Sequence, residues 1–456
     1  MLIRRLRAVC LVWLLPLGIY LTLPASVEAQ YYYYDNGDGT CTILGYLGSS
    51  SVVNIPDKID GLWVASIGPE AFHARTDIIR VSIPGSVKTI GEAAFESCTG
   101  FTNVVIPDSI NYVGDYAFYG CTGLKTAIIG NGVTNIDYWA FGYCTGLTNL
   151  TIGSNVASIG MYAFDSCSSL TSVTIPSKVA DIGQNAFCFC TSLTRATINN
   201  GVPYIGNAMF ASCVSLASVA VPDSVTNIGS QAFDDCWSLT NITIPSKIIS
   251  IGDGAFDSCY NLSNVTISDS ITSIGGYAFN DCWSLTSVTI PNSVTSIEAG
   301  VFHSCTSLIS VTIGNSVTNI GNYAFDGCDS LTAVYFLGNA PSLGLSVFSY
   351  GNKVTVYYLP GTTGWGATFN GRPAVLWNPQ AQTSSATFGV RTNRFGFTIT
   401  GSSNLVIVVE ASTNLANWLP VSTNTLNAFI GTNGTSYFSD SKWTNSRAKF
   451  YRIRSP

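Results

Sequence analysis

Residues 285–307 read LTSVTIPNSVTSIEAGVFHSCTS, and their spacing decides the fold. Leu285, Val288 and Ile290 are apolar while Thr289 between the last two is polar, the alternation of a short strand with one buried face. Pro291 follows and, having no N–H, ends a strand ladder at that point. Val294 and Ile297 form a second inward pair, and Phe302 and Cys305 a third. The unit recurs: phenylalanine stands at every twenty-third position from Phe72 to Phe348, thirteen times in all. Cysteine follows three residues later, eleven times from Cys98 to Cys328, with Arg75 and Gly351 in the equivalent places of the outermost units. One side chain repeated once per backbone turn is the mark of stacked coils, in which each unit buries its apolar face only against its neighbours. The fold class is therefore a repeat solenoid with parallel strands between coils.

Other units carry the same punctuation. Pro84, Pro107, Pro176, Pro222 and Pro245 take the place of Pro291, and Gly91, Gly160, Gly229 and Gly275 follow the inward Ile at a backbone corner. The Ala-Phe-x-x-Cys segment that closes each unit is expected to be a helical turn with Phe and Cys inward. These residues resemble the BspA-like branch of the leucine-rich repeat family, whose unit reads roughly L-x-x-V-x-I-P-x-S-V-x-x-I-G-x-x-A-F-x-x-C. Departures are local: Asp137 and Glu298 replace the Gly, Met209 and Val301 the Ala, and Ser86, Ser109, Ser224, Ser270, Ser293 or Ser316 stands roughly where common leucine-rich repeats carry an Asn ladder. The resemblance implies a right-handed leucine-rich-repeat-like superhelix, a horseshoe or gently curved rod, and a role in adhesion or protein binding.

The organisation expected is a signal peptide over 1–29, an N-terminal cap over 30–66, repeats over 67–337, a C-terminal cap over 338–376, a linker over 377–385 and a small β-sandwich-like module over 386–456. Arg4, Arg5 and Arg7 precede an apolar run over 8–23, and Val27-Glu28-Ala29 offers small residues to a signal peptidase, so cleavage is expected after Ala29. That removes three arginines and Glu28 and moves the formal charge from −6 to −8. Only 10% of residues are charged, and no basic stripe is present, which excludes a sequence-independent nucleic-acid binder. No later stretch has eighteen consecutive apolar residues, so no membrane span is expected after signal cleavage. In the module, strands are expected at 395–400, 405–410, 436–439 and 450–453. Stretches such as VVEASTNLANW and KFYRIRSP resemble C-terminal modules of other secreted bacterial repeat proteins.

Catalysis needs groups that meet. His73 and His303 hold one repeat position ten coils apart, roughly 48 Å at the spacing of stacked strands, so they share neither a metal nor a proton relay. Asp234 and Asp257 fall one coil apart, the carboxylate spacing of a retaining glycosidase, but are expected on an open face as a solvated pair. The turn Asp35-Asn36-Gly37-Asp38-Gly39 places glycine where calcium ligands would stand and reads as a hairpin. No cofactor or metal motif is present. The cysteines, in a secreted chain, invite a disulfide reading, but parallel inward thiols point the wrong way for bridging and are read as a buried ladder of free thiols.

The remaining candidates are binding surfaces. Tyr116, Trp139 and Tyr162 share one variable position in three consecutive coils, and Trp237, Tyr260 and Trp283 share another just after the Cys, flanked by Asp234, Asp235, Asp257 and Asp281. Each set is an aromatic strip, either filling the flank of the solenoid or offered to sugar rings or a partner's apolar edge. Thr151, Thr174, Thr197, Thr243, Thr266, Thr289 and Thr312 mark an uncharged outer strand face, which either stabilises the sheet or contacts a glycan, a polypeptide or ice. The expected role is a secreted or cell-surface, non-catalytic interaction scaffold with a protein partner, the alternative being a carbohydrate-binding protein that uses an aromatic strip.

Overall fold

The computed structural model describes residues 30–349, 353–384, 388–391, 394–401, 406–425, 434–445 and 449–454, in two compact units divided between Leu262 and Ser263. The expected signal peptide and Gly351 lie outside the described residues. The first unit opens with the hairpin of Tyr31–Asp35 and Thr40–Tyr46. At its turn, the Asp35 carboxylate accepts from the Gly37 N–H and the Asp38 carboxylate from the Thr40 N–H, so both acids serve the turn itself. Thr40–Tyr46 then pairs in parallel with Leu62–Ile67. From there a parallel ladder runs through Thr89–Ile90, Tyr112–Val113, Asn135–Ile136 and Ser158–Ile159 to Asp181–Ile182. A second ladder runs through Val52–Asn54, Arg80–Ser82, Asn103–Ile106, Thr126–Ile129 and Asn149–Thr151. In Asn103–Ile106 and Ser172–Ile175 the Val and Ile are buried and the residues between them exposed, as period-two patterning requires.

In the second unit Ser287–Ile290, Ser310–Ile313, Ala333–Phe336, Thr355–Tyr358 and Arg372–Leu376 form one parallel series. Coil pairing thus continues inside 338–376. Gln380–Gln382, expected as linker, is instead a strand antiparallel to Arg394–Gly401; it lacks the Gly and Pro that would keep it out of a sheet. The C-terminal module has one sheet in which Arg394–Gly401 pairs with Gly434–Asp440, and another of Val406–Ser412 between Leu419–Thr425 and Phe450–Arg454. Phe397, Ile399, Ile407, Val409 and Phe438, drawn from both sheets, make its core. Leu419–Thr425 escapes a hydrophobicity reading because its sequence, LPVSTNT, is mostly polar.

The Phe-Cys segment is not helical. Trp139, Phe141 and Tyr143 donate their N–H groups to the carbonyls of Met161, Ala163 and Asp165 in the next coil, while Ala140, Gly142 and Cys144 donate three residues back within their own coil. A helix would spend every N–H inside the segment; here alternate N–H groups tie the coils together. The geometry demands left-handed backbone two residues before and after the Phe, as at Trp139 (φ 53°), Tyr143 (φ 55°), Gln231 (φ 57°) and Asp235 (φ 57°). Non-glycine residues resist that conformation, and the hydrogen bonds to the next coil fix it.

Inside, the Phe rings stack coil on coil. In the first unit Phe118 and Phe141 lie 4.9 Å apart at 10°, and Phe164 and Phe187 5.0 Å apart at 5°; in the second, Phe279 and Phe302 lie 5.5 Å apart at 3°. The described cysteines are all buried and unbridged. Within each unit the ladder thiols meet the Phe carbonyl one coil back, as Cys121 does Phe95 at 3.1 Å and Cys144 does Phe118 at 3.2 Å in the first and Cys328 does Phe302 at 3.1 Å in the second. Burial pushes the Cys98 and Cys144 thiols up to about 12, which keeps them protonated and able to donate. Arginine takes over at both ends. Arg75, in the Cys position, donates to the carbonyls of Tyr46 at 2.6 Å and Gly48 at 2.7 Å, and in the second unit Arg372 donates to the Phe348 carbonyl at 2.7 Å.

Candidate functional site

Because Phe and Cys face inward, the residues one, two and three places from the Phe carry the variation on the turn edge. Tyr116, Trp139 and Tyr162 lie there, but not as a simple strip. Trp139 stacks on Tyr162 at 4.6 Å and 4°, whereas Tyr116 meets Tyr138 and Tyr119 edge-on at 5.4 and 5.5 Å. Tyr143 stacks on Trp139 at 5.7 Å, and Tyr119 and Tyr138 meet the indole by their edges. Six rings from three coils thus form one platform around Trp139. The backbone makes room for it: a Cβ on Gly142 would sit 2.2 Å from Trp139 Cε3 and 3.2 Å from Tyr119 Cδ2. Tyr119, Tyr138 and Tyr143 were missed by sequence reasoning because each occupies a different repeat column. The one available signal was Gly142 itself, a glycine next to the Phe where neighbouring coils carry side chains.

The second aromatic set is held differently. Trp237 and Tyr260 are tilted at 31° with centroids 5.8 Å apart. The Trp237 indole N–H donates to Asp235 at 3.0 Å, and in the second unit the Trp283 N–H donates to Asp281 at the same distance. Both acids occupy the left-handed position two residues after the Phe, which Asp tolerates better than most residues. Both indoles are exposed.

The column just after the Phe carries both histidines and the acids Glu96, Asp165, Asp234, Asp257 and Asp326. Asp234 and Asp257 are half-buried rather than solvated as expected. Burial first, then Asp235 and Asp257, pushes the Asp234 carboxyl up to about 7. Asp165 is 4% exposed and is pushed up to about 6 by burial, against hydrogen bonds from Ser166 and Cys188. Each histidine has partners within its own unit: His73 Nδ1 lies 3.5 Å from Glu96, and His303 Nε2 3.7 Å from Asp326. His303 also brings Ser304 Oγ to 3.0 Å of Nδ1, a serine-histidine-aspartate grouping. Its chemistry is not that of an activated serine. Asn280 donates from Nδ2 to Asp281 at 3.1 Å, which turns its Oδ1 onto His303 Nδ1 at 2.8 Å; Nδ1 therefore carries the hydrogen and cannot take one from Ser304.

On the outer strand face Thr174 pairs with Thr197 and, in the second unit, Thr289 with Thr312. The threonine register does not persist. Thr197 is followed by Ala220, Thr151 is preceded by the apolar Ile128, and Thr312 gives way to Tyr335 and then Tyr357.

Among the described residues no helix is long and apolar enough to cross a membrane. No curated protein matches the sequence. Among solved structures, the fold is similar to a leucine-rich repeat protein from Bacteroides ovatus, at 24% identity and a TM-score of 0.55, over 76% of this chain and 98% of that one. A leucine-rich cell surface protein from Faecalibacterium prausnitzii is 27% identical over 74% of this chain and 97% of its own, with a TM-score of 0.43. The model of the BspA type leucine rich repeat region matches in six copies, over residues 65–187, 124–237 and 226–355. With well over half of its length matched in this way, the chain belongs to the BspA-type leucine-rich repeat family.

Proposed function

We propose that this protein is a non-catalytic interaction scaffold, exported to or beyond the cell surface, that engages a protein partner through the platform around Trp139. The observation that carries the reading is the six-ring cluster, with Tyr138 and Tyr143 exposed at its surface and the backbone emptied beneath it at Gly142. A surface rich in tyrosine edges and hydroxyls is the composition of a protein-binding hot spot, since Tyr supplies contact area at low conformational entropy cost. The indole itself is enclosed by tyrosines, which leaves little of its face for a sugar ring. Family membership and the leader-like residues 1–29 support export, and the exported chain is expected to begin at Gln30.

The test is a pull-down from the native surroundings with the full mature chain and with Tyr143→Ala and Tyr138→Ala variants, whose exposed rings are removable without opening the core. Loss of one specific protein partner from both variants is the expected result; a partner list unchanged from the parent sinks the reading. The alternative, glycan binding at Trp237 and Tyr260, is supported by an exposed indole that Asp235 holds in one orientation. Sugar binding abolished by Trp237→Ala and indifferent to Tyr143→Ala would favour it.

A further inference from the structure

A groove of about 570 Å³ opens on the strand face of the second unit. Its floor is a grid of hydroxyls: Ser287 and Thr289 of one strand stand in register with Ser310 and Thr312 of the next. Where the threonine column would continue, Tyr335 and Tyr357 take its place and stack at 5.0 Å. Trp377 stands edge-on to Tyr335 at 6.5 Å, and Ile453 lines the groove from the last strand of the C-terminal module.

Tyr335 lines the groove and is 3% exposed; burial, then Tyr357, pushes its pKa well above the ordinary phenol value. One buried polar atom of this wall, Trp377 Nε1, has no partner among the described residues. Native structures rarely leave buried donors unpaired, because each forfeits its hydration.

The lining selects a ligand class. Among the described residues no charged side chain lines the groove, so an ionic ligand would lose its hydration without a counter-charge. A purely apolar ligand would strip water from four hydroxyls and return nothing. The chemistry that meets both surfaces is a neutral polyol with an apolar C–H face, able to lie on half-buried aromatic surface while its hydroxyls reach the floor. Strands lie about 4.8 Å apart, close to the advance of one pyranose unit along an extended chain. We propose that this groove is a binding site for a neutral oligosaccharide lying across the strands, its ring faces against Tyr357 and Trp377 and its hydroxyls on Thr289, Thr312, the Tyr335 hydroxyl and the unmet Trp377 Nε1. The assignment is independent of the Trp139 platform, which belongs to the first unit.

The test uses the full mature chain on a printed array of neutral oligosaccharides of two to six sugar units, followed by calorimetric titration of the strongest binder. Thr312→Arg blocks the floor from a half-exposed position, and Tyr335→Phe removes only the phenol hydroxyl; thermal melting confirms that each variant is folded. Binding is expected to fall by about tenfold or more in Thr312→Arg and by about fivefold in Tyr335→Phe, and to be unchanged in Tyr143→Ala. The assignment is overturned if no neutral oligosaccharide binds, or if binding in both groove variants stays within about twofold of the parent. Binding lost in Tyr143→Ala but kept in Thr312→Arg would overturn it as well, moving sugar recognition to the platform.

Discussion

The turn edges around residues 116–162 and around residues 234–260 share one backbone and differ in what holds their aromatic rings. In the first, rings hold rings: Trp139 lies over Gly142 among tyrosines. In the second, a carboxylate holds the indole of Trp237, and Asp234 beside it is half-buried among other acids. The Phe stack and thiol ladder beneath are the same in both, with Cys144 on Phe118 at 3.2 Å and Cys236 on Phe210 at 3.3 Å. A repeat that places its stability in the interior and in backbone bonds between coils leaves the outward columns free to be apolar in one region and ionisable in another. The comparison teaches that recognition chemistry on this scaffold is set column by column, without cost to the core.

The sharpest way to break this contrast is to fill the space under the platform. Gly142→Val places a branched side chain where even a Cβ would meet Trp139 at 2.2 Å; the ring must lift or the turn must move, at a cost of about 2 kcal/mol. A melting point lowered by several degrees, with a shift in tryptophan emission, is expected. Alanine at Asp234, the matching column of the other region, should not lower the melting point at pH 7. A Gly142→Val protein that melts with the parent would show that the indole does not rest on that glycine.

The second contrast is electrostatic. Asp234 is pushed up to about 7, against an unfolded value near 4, so between those pH values the folded chain holds a proton that the unfolded chain has lost. Stability from this group is therefore fully present below pH 4 and declines as the pH rises through 7. Asp234→Asn should stabilise the protein at pH 8 by about 1 kcal/mol, after discounting for partial solvent screening, and make no difference at pH 4. Melting curves across that range decide it; a benefit as large at pH 4 as at pH 8 would mean the gain is not electrostatic.

The solenoid was legible in the sequence because Phe, Cys, Val and Ile recur in single columns, and a column needs no three-dimensional knowledge to be read. The turn was not legible as it is: A-F-x-x-C has helical spacing, and nothing in its residue types announces that alternate N–H groups leave for the next coil. Trp139 and Trp237 were both found as departures from the repeat. What they do was hidden, since it depends on neighbours in other columns: Tyr143 four residues on, Gly142 beneath, Asp235 in a left-handed residue. The groove in the second unit was invisible for the same reason, as it joins Thr312 and Tyr335 of the coils to Trp377 and Ile453, far apart in the chain.

The smallest effect tests whether the carboxylate or the packing orients the second region's indole. Asp235→Ala removes the acceptor of the Trp237 N–H and puts a residue less tolerant of left-handed backbone at φ 57°. The exposed hydrogen bond contributes roughly 0.5 kcal/mol, so the melting point should move by only a degree or two. The ring should nevertheless be released: since Trp237 is 44% exposed and Tyr260 meets it only at a tilt, time-resolved anisotropy in a variant keeping Trp237 as its principal emitter should show faster indole motion. Asp235→Asn retains an acceptor oxygen and a residue at ease in left-handed backbone, and should restore the slower motion without the charge. If Asp235→Ala leaves the anisotropy unchanged, packing rather than the carboxylate fixes the ring, and the two turn edges are held by the same means after all.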